Sequence, residues 1–172
     1  MAAWQTFADI SGSAAAALAG LLFVSVSIRI DVIAPSRALR NRAAQTLVLF
    51  VSVLLVALCL AIPEQSREAL GGELLALGAL VGGVTVFLGR QARDKDGAAD
   101  TPRLAVALDA TTPNAITLIL LAVAALLLVA GLHAGLYVLV APVVVALGGG
   151  VISVWLLLTR LPARPESDSS RR

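Results

Sequence analysis

Residues 113–132, PNAITLILLAVAALLLVAGL, decide the fold class: twenty consecutive positions carry no charged side chain. A helix of that length reaches about 30 Å, the thickness of the hydrocarbon core of a bilayer. Thr112 followed by Pro113 reads as an N-cap with proline at the first helical position. Residues 131–135 leave only a very short turn before the next apolar run.

Working outward, four further apolar windows of spanning length lie at about 10–30, 37–62, 69–88 and 136–158. Pro35 and Ser36 mark the start of the second, with Ser36 as N-cap. Pro63 marks its end, because proline cannot continue the helical hydrogen-bond ladder. The chain as a whole is 59% hydrophobic and 14% charged, against about 45–50% and about 25% in soluble domains. Too few charges remain to cover a water-facing surface. The expected fold is all-α: a polytopic integral membrane protein, a five-helix transmembrane bundle over residues 1–160. A disordered cytoplasmic tail follows at 161–172, rich in Ser, Arg and Pro.

The counts also exclude chemistry. One cysteine, Cys59, permits no intrachain disulfide, and one histidine, His133, rules out both a bis-histidine haem and an HExxH zinc site. No P-loop is present, and the spans hold neither a Ser–His nor a paired-Asp arrangement. No enzyme, cofactor or metal is therefore expected. Asp94, Asp96 and Gly97 match only part of a calcium loop. The slight basic excess belongs to loops beside spans, where it signals orientation and not nucleic-acid binding.

Basic residues accumulate on the cytoplasmic side of a membrane. With five spans, the N-terminus, second loop and fourth loop share one side and hold Arg67 alone. The other twelve basic residues fall in the first loop, the third loop and the tail. This alternation predicts an N-out, C-in topology, and demoting the third span would break it. Trp4 and Tyr137 then sit where outer interfacial anchors belong, and Trp155 lies toward the inner one.

In lipid, helices associate through close backbone contact, so small residues mark contact faces. Gly12, Ala16 and Gly20 form two overlapping steps on the first span. Gly78 and Gly82 form G-x-x-x-G on the third, and Gly148, Gly149 and Gly150 stand in the middle of the fifth. Packing within the chain and self-association both account for them. The triple glycine is also the place expected to bend or to admit a close approach.

Asp9, Ser13, Ala16, Gly20, Val24, Ser27 and Asp31 recur at spacings of three and four, on one face of the first helix. Packing with back-bonded serines explains such a stripe, and so does a narrow water-filled path lined by several subunits. The outer side carries Asp9, Glu64, Glu68 and Glu73 against Arg67 alone, a balance that concentrates cations at a mouth. Glu73, about one turn inside its span, is a functional candidate or an interfacial group. Gln45, Ser52 and Cys59 lie seven apart and read as polar glue between helices.

Residues 4–30, WQTFADISGSAAAALAGLLFVSVSIRI, with RALRNRAAQTL at 37–47, resemble a family of small bacterial multi-pass membrane proteins described as modulators of a membrane-bound AAA protease. The resemblance covers about the first third of the chain and carries no catalytic or binding residues with it. It implies a multi-pass protein of the bacterial inner (cytoplasmic) membrane. Taken together, these readings lead to a homo-oligomer with the lipid bilayer, further copies of itself and inorganic ions as partners. A cation-preferring channel lined by the first helix is the expected function. A non-enzymatic regulatory or scaffolding subunit, such as a membrane-protease modulator, is the alternative.

Overall fold

The computed structural model describes residues 2–93 and 112–159, and their regular structure is all helical. In chain order the elements are α1 (Ala2–Ile28), α2 (Ile30–Ile33), α3 (Arg37–Ala61), α4 (Arg67–Arg93), α5 (Thr112–Val129), α6 (Ala134–Val138) and α7 (Val140–Thr159). The expected tail at 161–172 and the polar segment with Asp94, Asp96 and Gly97 lie outside the described residues.

Helix ends follow local chemistry. Ser36 stands in an extended conformation before α3, and its Oγ accepts from the Leu39 N–H at 3.4 Å. Replacing Ser36 with alanine should cost about 1 kcal/mol, read as a lowered thermal midpoint in detergent. An unchanged midpoint would show that the cap contributes nothing. The Arg40 guanidinium closes the same turn by donating to the Ala34 carbonyl. At the other end α3 stops at Ala61, because Ile62 precedes a proline and is driven to φ −64, ψ 120. Ser66 then caps α4 by accepting from the Ala69 N–H at 3.2 Å.

The first span, expected at about 10–30, starts at Ala2 and stops at Ile28, with Arg29 out of helical form before α2, and three further boundaries differ from the sequence reading. The apolar stretches Trp4–Ile28, Leu39–Ala61, Arg67–Leu88 and Ala134–Trp155 are long and apolar enough to cross a membrane, whereas Asn114–Val129 is shorter. The loss at its C-terminal end has a definite cause. Gly131 takes φ 75, its N–H bonds to the Leu128 carbonyl, and the Leu132 N–H reaches back to the Leu127 carbonyl. This paired closure ends the helix at a left-handed glycine, so residues 130–132 leave it. Secondly, α4 starts at Arg67, which puts Glu73 nearly two turns inside. Thirdly, the last span is interrupted at Leu139, not at the triple glycine, which lies within unbroken helix. Pro142 is the cause: it has no N–H to give the Val138 carbonyl and its ring crowds that carbonyl.

The helices share one apolar core. α3 packs on α1, α4 and α7, while α5 packs on α4, α6 and α7. Leu74, Ala124, Leu128, Leu139 and Ala146 are fully buried in it. Methyl groups built on Gly71, Gly78 and Gly82 would meet Val129, Leu121 and Leu118 respectively, so α4 and α5 run antiparallel. Where α3 crosses α7, Phe50 lies fully buried against Gly150.

Candidate functional site

α1 has two dissimilar faces. Ala8, Ser11, Ala15, Leu22 and Ser25 are buried. A Cβ on Gly12 would come within 3.1 Å of Ala57 Cβ on α3. The buried serines keep their hydroxyls within the helix: Ser11 donates to the Phe7 carbonyl at 2.7 Å and Ser25 to the Leu21 carbonyl at 2.8 Å. This face is the packing surface that small residues make available.

The other face is the stripe. Asp9, Ser13, Ala16, Gly20, Val24 and Ser27 are all exposed, and nothing lies within 4 Å of where a Gly20 side chain would begin; Asp31, expected on the same face, is exposed too but lies on α2, beyond the break at Arg29. Ile10, Leu21 and Ile28 flank the stripe on one side and Phe23 on the other, each more than half exposed. The result is a shallow seam of small and polar groups between apolar ridges, with the Asp9 carboxylate at one end. Ala16, expected on a packing face, therefore faces outward with Gly20, while Gly12 alone of the three packs inward.

The remaining small residues also divide. Gly150 meets Phe50, but Gly148 faces open space, and the Gly149 carbonyl accepts from Ser153 Oγ at 2.8 Å. Gly78 and Gly82 face α5 at ordinary side-chain distance, 3.7 Å and 3.8 Å. The closest backbone approaches fall elsewhere. A Cβ on Gly71 would lie 2.8 Å from the Val129 nitrogen, and one on Gly135 would lie 2.9 Å from the Ala124 oxygen. Gly71 has no small residue four positions away, and Gly131, spaced four from Gly135, lies outside the helices, so their tertiary neighbours reveal them.

One end of the protein gathers the N-terminus, the 62–66 turn and the 130–136 turn. Trp4 makes edge-to-face contacts with Phe7 and Tyr137, at centroid distances of 5.8 Å and 5.5 Å. Arg67 Nη1 lies 3.4 Å from His133 Nδ1. A cleft here is lined by Trp4, Gln5, Leu60, Glu64, Arg67 and Leu136, among others. These are the three segments that the charge count places on one side of the membrane.

Glu64, Glu68 and Glu73 are exposed, and Glu64 holds the left-handed φ of 57 in the turn after Pro63. Of the expected α3 polar seam, Cys59 is half-buried against the apolar core. Ser52 instead donates to the Leu49 carbonyl of its own helix at 2.7 Å, and so holds no second helix.

No protein-family profile, curated protein or solved structure matches the chain.

Proposed function

We propose that this is a homo-oligomeric integral membrane protein whose copies meet along the α1 seam. Five helices cross the bilayer in this reading, with the N-terminus outside and the C-terminus inside. A cation-preferring path runs where the seams face one another. The observation that carries the proposal is the exposure of the six α1 seam positions opposite the buried Ala8, Ser11, Ala15, Leu22 and Ser25. Towards lipid, Ser13, Gly20 and Ser27 contribute nothing that leucine would not contribute better. Towards another copy, they allow close approach and supply hydroxyls to a narrow polar path. A single protomer holds no path along this face, because the seam is convex; symmetric assembly encloses one.

Several features support the orientation. The end that carries the aromatic cluster has Arg67 as its one basic side chain among Glu64, Glu68, Glu73 and Asp9, whereas Arg29, Arg40 and Arg42 belong to the first loop and its following helix. α5 is the shortest crossing. Its 18 residues reach about 27 Å, and local thinning of the bilayer accommodates such a helix at modest cost.

The test is assembly and conduction in one preparation. Wild-type protein in nanodiscs should carry more than one copy, and liposomes bearing it should pass monovalent cations. Ser13→Leu with Gly20→Leu should release monomers and abolish flux, while Asp9→Asn should lower cation preference and leave assembly intact. A wild-type protein that is monomeric at every concentration overturns the proposal. The α1 seam then becomes a contact for a different membrane protein, the regulatory-subunit alternative. Assembly without flux removes conduction alone.

A further inference from the structure

Among the described residues, the buried hydroxyls of this protein follow one habit, with one exception. Ser11, Ser25, Thr46 and Ser52 each donate to a carbonyl three or four residues earlier in their own helix. Half-buried Thr85 and Ser153 do the same. Thr117 does not. Its Oγ1 is buried without a hydrogen-bond partner among the described residues, and Asn114 Oδ1, one turn away on α5, is in the same condition. Asn114 is 4% exposed and Thr117 6%. Buried polar groups in a membrane core are costly unless paired, since lipid supplies no hydrogen bonds.

Geometry makes the two a pair. Residues three apart on a helix share a face, with Cβ atoms about 5–6 Å apart. Side chains so placed can turn to one shared hydrogen-bond partner. There is also room. At Gly71 the α4 backbone touches that of α5, but a Cβ on Gly82, facing the α5 turn that holds Thr117, would meet only Leu118 methyls, at 3.8 Å and 4.0 Å. The spacing of the two helices therefore widens toward the Asn114 end.

We propose that Asn114 and Thr117 form a hydration site inside the helix packing, in which one water molecule bridges Asn114 Oδ1 and Thr117 Oγ1. Water fits the donor set. The amide oxygen only accepts, the hydroxyl both gives and takes, and the guest must do both in a small space. An anion is repelled by the amide oxygen, and a bare metal cation finds no carboxylate on this pair. The site lies on the core side of α5 and is independent of how copies assemble along α1.

The experiment is a double-mutant cycle on the full chain in detergent, with Asn114→Leu, Thr117→Val and the double variant. Loss of a shared water lowers the midpoint in each single variant by about 2–4 °C, and the double variant falls no further than the lower single. Thr117→Ser, which keeps the hydroxyl, stays near wild type. If the two oxygens are simply unpaired, the apolar replacements raise the midpoint, and the proposal fails. Additive losses also overturn it, because they deny a shared guest. An experimental density map then gives the direct answer: a solvent peak within hydrogen-bond reach of both oxygens is expected, and a protein side chain there, or no peak, ends the proposal.

Discussion

Gly150→Val unfolds at a midpoint roughly 6–12 °C below wild type, the largest loss expected from any single methyl-scale change in the last helix. Even the first added carbon overlaps Phe50 Cε1, and it lies 2.6 Å from Cζ. The ring has no exposed surface, so it cannot swing aside without displacing its neighbours. Overpacking of this kind costs about 1–3 kcal/mol, and at a rigid helix crossing the upper end applies. At about 2–4 °C per kcal/mol for a chain of this size, the stated range follows. Two comparisons make the result specific. Gly148→Ala, two residues away, meets nothing within 4 Å and gains about 0.5–1 kcal/mol from reduced backbone freedom. Phe50→Leu in the Gly150→Ala background recovers part of the loss, because the two residues share one space. A Gly150→Val variant as stable as wild type would show that α3 and α7 do not cross where the structure places them.

The second large effect comes from Gly71→Ala, with Gly135→Ala as its counterpart across α5. At Gly71 the obstacles include the Val129 nitrogen at 2.8 Å and the Ala125 oxygen at 2.9 Å; at Gly135 they include the Leu128 nitrogen and the Ala124 oxygen, both at 2.9 Å. Backbone atoms have no rotamer to change, so the whole helix must move. Each substitution should cost about 2–3 kcal/mol. Both push on the C-terminal half of α5, from α4 and from α6, and both should weaken the Leu128 layer of the core. Gly78→Ala and Gly82→Ala provide the contrast. Their added carbons would rest at 3.7 Å and 3.8 Å from leucine methyls, and both variants should match or exceed wild-type stability. Thermal unfolding of the four alanine variants side by side decides the matter. If Gly78 and Gly82 prove the intolerant pair, the close α4–α5 contact lies further in than the structure places it.

That contrast shows what pattern reading can reach. The G-x-x-x-G spacing of Gly78 and Gly82 is visible in any one-dimensional scan, yet the tight contacts fall at Gly71 and Gly135. The spacing rule records which face could come close. It carries no information about the crossing point, which depends on the tilt of α4 and on where α5 ends before Gly131. Ser36 and Pro63 are the opposite case. A cap and a proline act on the residues next to them in sequence, so the limits of α3 are legible without any partner. Asn114 and Thr117 passed unnoticed because neither residue type is unusual near a helix start. Only burial without a partner separates them from Ser52 or Thr46. The α1 stripe was legible as a face, but not the direction in which that face points.

Composition and the apolar windows were enough to establish an all-helical chain with helices long and apolar enough to cross a membrane, since hydrophobic length and local caps act within single segments. Which glycines bear the contacts, where the last span breaks, and that the α1 seam looks away from its own core were decided in three dimensions. Those properties depend on how one helix lies against the next, and no spacing within a single helix encodes that angle.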